Sequence, residues 1–384
     1  MRIDTFSYDL PSERIAQQPA DDREAARLMV LDGAARSEKT VGDLASLLPR
    51  GALVVLNDTR VLRARLLGKK PETGGKVEIF LVRKVGERTI AISDTESREV
   101  EVWRALGKAS KALKFGMDVI VGGGETPSGS PMPAIPATRT QLIVRLLGRA
   151  EDDGLLEVGL TVRGTDVSVE DAIRELGHVP LPPYIKRDDR AEDAERYQTV
   201  FARVDGAVAA PTAGLHVTRA LLGRLAVHDC DVAMVTLHVG LGTFLPVTVE
   251  DLDTHPMHSE RFEVTRATST AIARARERGA PVVAVGTTVV RALESAADPD
   301  RLGFVRPMSG DTKLLIQPGY SFRVVDKLLT NFHLPKSTLL AMVCAFGGTE
   351  RVLGACRAAV EENYRFYSYG DAMFLDRAPG RAEP

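Results

Sequence analysis

Along this chain, short apolar runs end repeatedly in a polar, Gly-containing or Pro-containing cluster and then give way to helical periodicity, which is how α/β units read. Five junctions carry the pattern. Leu53 to Leu56 runs into Asn57-Asp58-Thr59-Arg60, Ala207 to Ala210 into Pro211-Thr212-Ala213-Gly214-Leu215-His216, and Val232 to Val239 into Gly240-Leu241-Gly242-Thr243. Val282 to Val285 runs into Gly286-Thr287-Thr288, and Leu328-Leu329 into Thr330-Asn331-Phe332-His333. Thr218 is placed to cap a helix presenting Leu221, Leu222 and Leu225, and Pro335 suits the first turn of a helix carrying Leu339, Leu340, Val343 and Phe346. Ligands of open α/β sheets bind beyond the carboxyl ends of the strands, so these clusters are expected to converge on one crevice.

Residues 61–155 follow a different pattern. Lys76 to Val85, Thr89 to Ile92, Val100 to Trp103, Val119 to Val121 and Gln141 to Leu146 are short β-favouring runs with turn signals between them, the spacing of a small all-β barrel. Because α/β signals stand on both sides, the predicted fold is a main α/β domain built from 1–60 and 156–384, with 61–155 inserted as the barrel. The Gly-, Pro- and Ser-rich stretch 122–136 reads as a loop within it. Val179 to Tyr184, VPLPPY, and the charged run that follows form a lid candidate, and the tail after Arg377 is expected to be disordered.

The length of 384 residues fits two domains. No apolar run approaches the roughly 20 residues of a bilayer span, and the first residues carry acids where a signal peptide needs a basic and then an apolar run, so a cytoplasmic protein without a membrane partner is expected. Cys230, Cys344 and Cys356 have no CxxC spacing and read as buried thiols. A net charge of −2 argues at first against nucleic acid, but its distribution is uneven. Between Arg60 and Lys114 stand 14 Lys/Arg against 7 Asp/Glu, a local excess of 7 that leaves the remainder acidic by 9. On charge alone a solvated basic face is the simpler reading.

All seven histidines lie between His178 and His333, and His216, His238, His255, His258 and His333 sit in polar clusters. Any one of them can be simply a hydrogen-bonded structural residue, as His228 near a helix end is expected to be. His255-Pro256-Met257-His258-Ser259-Glu260 has no helix to put two histidines on one face, so a base, His258, oriented by the Glu260 carboxylate reads better than a metal site. Thr287, Thr288 and Arg291 open a helix and favour an anionic group there, unless Thr287 is only a cap. The Gly240-Leu241-Gly242-Thr243 run has two of the glycines of a dinucleotide fingerprint, and the chain has no GxxxxGK[ST]. Small side chains at 209–214 allow close approach of a flat base, with Thr212 and His216 supplying polar atoms, though a tight turn would look the same.

Taken in order, DLP (9–11), IAQ (15–17), LVVLNDTRVLRARL, TGGKVEIFLVR, HVPLPPYI, YQTVFA, GAVAAPTAGLHVT, VTLHVGLGTFLPV, HPMHSE, VAVGTTVVRALES, LLTNFHLPKSTLL and YRFYSYGDAM resemble the S-adenosylmethionine:tRNA ribosyltransferase-isomerases of queuosine biosynthesis across nearly the whole chain. The resemblance implies an α/β domain with an inserted β-barrel. It implies transfer and isomerisation of the ribosyl group of S-adenosylmethionine onto 7-aminomethyl-7-deazaguanine at the tRNA wobble position, with release of adenine and methionine. It also implies a monomer using no metal or redox cofactor, since S-adenosylmethionine is consumed as a co-substrate. Such chemistry asks for a base, a proton donor and a carboxylate site. The corresponding candidates are His258 with Glu260, or His216, as base; Asp58 or His333 as acid; and Thr287, Thr288 and Arg291 as carboxylate binders. Asn57, Arg60, Thr212, Gly214, His238, Gly242, Thr243 and Asn331 are further substrate-binding candidates. With tRNA as partner, Arg63, Arg65, Lys69, Lys70, Lys108, Lys111 and Lys114 become candidates for phosphate contact. An S-adenosylmethionine-dependent RNA methyltransferase is the rival enzyme, disfavoured for want of a glycine-rich loop after the first strand. A non-enzymatic tRNA-binding protein is the other alternative.

Overall fold

The computed structural model describes residues 1–92, 97–123, 140–151, 154–164, 166–240, 242 and 247–379. Thr243, most of the expected 122–136 loop and the end of the tail from residue 380 lie outside the described residues. The chain divides into two compact units, one of residues 1–60, 182–188 and 195–384, the other of 61–181 and 189–194.

The first unit is built on a sheet of nine strands in the order β15 (Met308–Thr312), β13 (Glu260–Val264), β12 (Asp231–Leu237), β3 (Leu53–Asn57), β14 (Val282–Val285), β16 (Lys327–Asn331), β17 (Ala372–Asp376), β1 (Arg27–Asp32) and β2 (Ala35–Thr40). The four central strands β12, β3, β14 and β16 run parallel. Antiparallel pairings join β13 to β12, β15 to β13, β17 to β16 and β2 to β1, whereas β1 lies parallel to β17. The short pair β4 (Thr59–Val61) and β11 (Val204–Ala207) stands apart.

Strand periodicity explains why the central runs are apolar throughout: a strand covered on both faces has no polar side to show. Leu53, Val55, Val282, Ala284 and Leu328 face one core, and Val54, Leu56, Val283, Val285 and Leu329 face the other. The first core receives α5 (Arg266–Glu277), α6 (Thr287–Ser295), α7 (Thr338–Gly347) and α8 (Thr349–Glu361), and the second receives α1 (Leu44–Leu47) and α4 (Arg219–Val227). As expected, Thr218 caps α4 by accepting from the Leu221 N–H at 3.0 Å. Pro335 does not open α7; Ser337 caps that helix through the Leu340 N–H at 3.2 Å, because its hydroxyl satisfies a donor that proline cannot. All three cysteines are buried. No single helix among the described residues is long and apolar enough to cross a membrane.

In the second unit β5 (Arg65–Lys69), β6 (Lys76–Ala91), β7 (Ser97–Ala109), β8 (Asp118–Gly122), β9 (Gln141–Arg149) and β10 (Leu156–Arg163) pair antiparallel in the order β10-β7-β6-β5-β8-β9, and the sheet closes on itself where β10 meets β9. Leu66, Val77, Ile79, Leu81, Val119, Val121, Leu142, Val144, Leu146, Val158 and Leu160 are buried, largely at alternate positions along their strands. The boundary drawn at 155 from sequence falls inside this unit. β10 pairs with both β7 and β9, and α2 (Val169–Leu176), capped by Ser168, belongs with them, so the unit continues to Leu181. The remaining short helix is α3 (Asp193–Arg196).

Candidate functional site

Where the central strands of the first unit end, a cavity of ≈ 390 Å³ opens, lined among others by Thr212, Gly242, His258, Glu260, Gly286, Thr287, Thr288, Arg291, Thr330, Asn331 and His333. The crevice expected from the strand ends is therefore real for these residues. Asn57, Asp58, Arg60, Gly214, His216 and His238 do not line it.

Asn57, the last residue of β3, is a bracket rather than a ligand-binding group. Its Nδ2 donates to the Leu237 carbonyl at 2.9 Å and to Thr288 Oγ1 at 3.1 Å, while its Oδ1 accepts from the N–H groups of Leu237 at 3.0 Å and Thr59 at 3.2 Å. All its hydrogen-bonding capacity is spent tying β3 to β12 and to the start of α6. Asp58 next to it is equally occupied: Thr236 Oγ1 donates to one oxygen at 2.6 Å and Arg203 donates to the other at 2.8 and 3.2 Å. That fixed, charge-paired carboxylate does not fit the acid role expected of it. Arg60 is exposed, donating to the Ala202 carbonyl at 3.0 Å. Gly214 serves packing, since a Cβ there would lie 3.0 Å from Phe201 and Thr199. His238 shares a 2.8 Å hydrogen bond with Thr59, and Gly206, with φ of +147°, packs so closely that a Cβ would lie 2.7 Å from the imidazole.

The start of α6 forms one wall. Gly286, at φ of +93°, is its N-cap and has no side chain to satisfy the first helical N–H groups, so capping by Thr287 is not what occurs. These donors and the positive end of the helix dipole open onto the cavity. Thr288 Oγ1 accepts from Asn57, which leaves its proton available to a ligand. One turn on, Arg291 pairs through Nη1 with Glu260 Oε2 and donates from Nε to the Leu314 carbonyl at 3.1 Å. Its Nη2 is buried without a hydrogen-bond partner. An arginine with a spare donor beside free helix N–H groups receives a carboxylate or phosphate.

Glu260 cannot orient His258. Its second oxygen accepts from the Gly240 N–H at 2.9 Å, so both oxygens are committed. His258 precedes β13, is exposed, and sits against Gly242, where a Cβ would lie 2.5 Å from its ring. The two residues do not share a strand face, because β13 begins only at Glu260.

His216 ends the short helical turn Thr212–His216 and is buried outside the cavity, its Nε2 3.0 Å from Asn331 Nδ2. Burial lowers it to about 4. Buried outside the cavity with Nε2 held by Asn331, it does not reach the cavity as a proton-abstracting base. His333 does line the cavity and shares a 2.8 Å hydrogen bond with Thr330 Oγ1; burial lowers it likewise to about 4, so at neutral pH it offers a hydrogen bond and carries no spare proton.

Another part of the wall is formed by Tyr184, Tyr197, Tyr367 and Ser368, none of them a site candidate from sequence. Tyr184 and Tyr367 rings lie 4.0 Å apart, and the hydroxyls of Tyr184 and Ser368 are 2.5 Å apart. Their sequence signals were membership of the HVPLPPYI, YQTVFA and YRFYSYGDAM strings and, for Tyr184, the end of the lid candidate. Among the described residues no three His, Cys, Asp or Glu side chains group to hold a metal ion.

In the second unit Lys108, Lys111 and Lys114 are exposed, and Lys69 and Lys70 half-buried. Lys70 Nζ donates to the Ala112 carbonyl at 3.3 Å, which brings two turns together at one end of the strands. Arg65 is already engaged, 2.8 Å from Glu78 and 3.9 Å from Asp189, and Arg63 donates to the Arg174 carbonyl at 2.7 Å.

A parallel-centred α/β sheet whose strand ends enclose an anion-receptive helix start and a tyrosine wall defines an α/β protein with a small-molecule site. The chain belongs to the queuosine biosynthesis protein family, whose pattern matches residues 3–375. Proteins from Sorangium cellulosum and Geotalea uraniireducens, both named S-adenosylmethionine:tRNA ribosyltransferase-isomerase, are 52% and 47% identical to it, each over 98% of this chain and over 98% and 100% of their own. The crystal structure of S-adenosylmethionine tRNA ribosyltransferase from Thermotoga maritima matches with 31% identity and a TM-score of 0.50, covering 97% of this chain and 99% of that one.

Proposed function

We propose that this protein is a cytoplasmic S-adenosylmethionine:tRNA ribosyltransferase-isomerase. It transfers and isomerises the ribosyl group of S-adenosylmethionine onto 7-aminomethyl-7-deazaguanine at the tRNA wobble position, releasing adenine and methionine, with no metal or redox cofactor. The observation that carries the reading to this chain's own chemistry is the unpartnered Arg291 Nη2 in the cavity wall beside the uncapped start of α6. These donors suit the methionine carboxylate, and Thr287 and Thr288 complete that end. The sulfonium acidifies the neighbouring C5′–H, so a base at the cavity surface forms an ylide; with His216 sealed away and His333 held by Thr330, the lining histidines left for it are His255 and His258, and we assign the role to His258. Incubation with ribose-labelled S-adenosylmethionine and precursor tRNA should move label into tRNA and release adenine. Ribose label absent from the tRNA, with label arriving instead only from methyl-labelled S-adenosylmethionine, would refute the reading.

His258→Ala should lower turnover at least about 100-fold, the usual contribution of a positioned base, with S-adenosylmethionine binding changed little. Turnover within about threefold, a barrier change under about 1 kcal/mol, would remove His258 from the role.

The second unit supports a tRNA contact as an inserted β-barrel with a lysine-rich end. Lys108→Glu, Lys111→Glu and Lys114→Glu together should weaken tRNA binding about tenfold or more at low salt and flatten its dependence on salt, because fewer counterions are released. Unchanged affinity across a salt titration would place the RNA elsewhere.

A further inference from the structure

Asn331, the last residue of β16, is 3% exposed and lines the cavity. Its Nδ2 donates to the Tyr367 carbonyl at 3.0 Å and faces His216 Nε2 at 3.0 Å. A carbonyl only accepts, so the amide nitrogen is fixed on that side and the amide oxygen on the other. His216 fits the choice: with the amide nitrogen 3.0 Å away, its Nε2 serves as the acceptor for the second amide hydrogen. Oδ1 is consequently buried with no partner. A buried acceptor left open costs free energy until a donor arrives, so the missing partner is a ligand N–H. The neighbours define which one. Tyr367, whose carbonyl holds the amide, packs at a tilt against Tyr184 in the same wall, and the one carboxylate among the described lining residues, Glu260, is already paired with Arg291. A neutral acceptor beside flat aromatic rings suits a neutral aromatic amine.

We propose that the Asn331 amide oxygen reads the exocyclic amine of the substrate's purine, and that His216 is the positioning residue holding the amide in that orientation. The inference rests on the reading that S-adenosylmethionine is the substrate, and it makes Asn331 the residue that distinguishes a 6-amino from a 6-oxo purine.

The test uses the full-length enzyme and measures both kcat/KM for S-adenosylmethionine against its 6-oxo analogue and binding of S-adenosylhomocysteine against S-inosylhomocysteine. Wild type should favour the amine by about 100-fold or more, as sites built around a substrate N–H do. Asn331→Ala should bring that preference within about threefold, mainly by losing the amine compound. His216→Phe should lose it too, and His216→Gln, which restores an acceptor, should regain part of it, which general unfolding would not produce. A wild-type preference under about threefold, or an Asn331→Ala enzyme that still discriminates, overturns the proposal. It is equally overturned if the Asn331→Ala defect tracks the α-amino group of methionine, tested with a des-amino analogue, or the aminomethyl group of the tRNA base. Failure of the underlying substrate reading looks different: wild type would bind neither homocysteine compound, and the proposal would fall with it.

Discussion

Arg291→Met should be the most damaging single substitution in the cavity, lowering stability by about 3–5 kcal/mol and weakening S-adenosylmethionine binding about 10- to 100-fold. The two losses have separate origins. Arg291 and Glu260 are 6% and 5% exposed, so removing the guanidinium strands a carboxylate in a medium that cannot solvate it, the costly way to break a buried ion pair. The binding loss comes from the other side of the same guanidinium, the free Nη2, whose charge-assisted bond to a ligand carboxylate contributes about 1.5–3 kcal/mol. Urea unfolding and ligand titration read the two separately, and a second change uncouples them. Adding Glu260→Gln to Arg291→Met removes the stranded charge and should restore much of the stability, while affinity stays low. Recovery of affinity in the double variant would show that Arg291 acts only through Glu260.

Most of the main sheet was legible because its central strands are buried on both faces and therefore apolar without interruption, while each junction carries polar residues that a core would not tolerate. The same signal located the cavity residues on the strand ends, Asn331 and His333, and those opening α6. It could not separate a side chain that points into the crevice from one that braces it. Asn57 and Asp58 share their junction with nothing in sequence to say that every polar atom of the first and both oxygens of the second are spent on backbone, Thr288, Thr236 and Arg203. Those partners lie up to 231 positions away. Glu260 and His258 misled for a related reason: spacing of two gives one strand face only if both residues are in the strand, and the strand starts between them. The tyrosine wall was invisible to periodicity because Tyr184 and Tyr367 sit on irregular segments, where neither a 2.0 nor a 3.6 repeat applies. The boundary at 155 failed because β10 reads like any short strand, and only its pairing with both β7 and β9 assigns it to the closed sheet.

Acidification should destabilise the first unit well above the range where its carboxylates titrate. His216 and His333 are lowered by burial to about 4 in the folded protein, against about 6.5 in an unfolded chain. Their contribution is fully present above pH 6.5, begins to fall as the unfolded chain takes up protons that the folded one refuses, and is gone near pH 4. Linkage makes this at most roughly 3 kcal/mol for each histidine. Two buried carboxyls work in the opposite direction. Glu294 and Asp371 are raised by burial, so protonation relieves the folded state as pH falls and offsets part of the loss. The paired carboxylate Asp376 is lowered and acts only in stronger acid, below the ordinary value of 3.8. The histidine window is therefore separable. Urea unfolding of wild type should lose stability steadily between pH 6.5 and 4.5, and His333→Asn, which keeps a polar side chain beside Thr330 but cannot titrate, should reduce that slope, the remainder coming from His216 and from His238 and His255, which burial also lowers. An unaltered slope in His333→Asn would mean that the ring takes up its proton inside the folded protein, and with it that His333 can serve as an acid in the cavity after all.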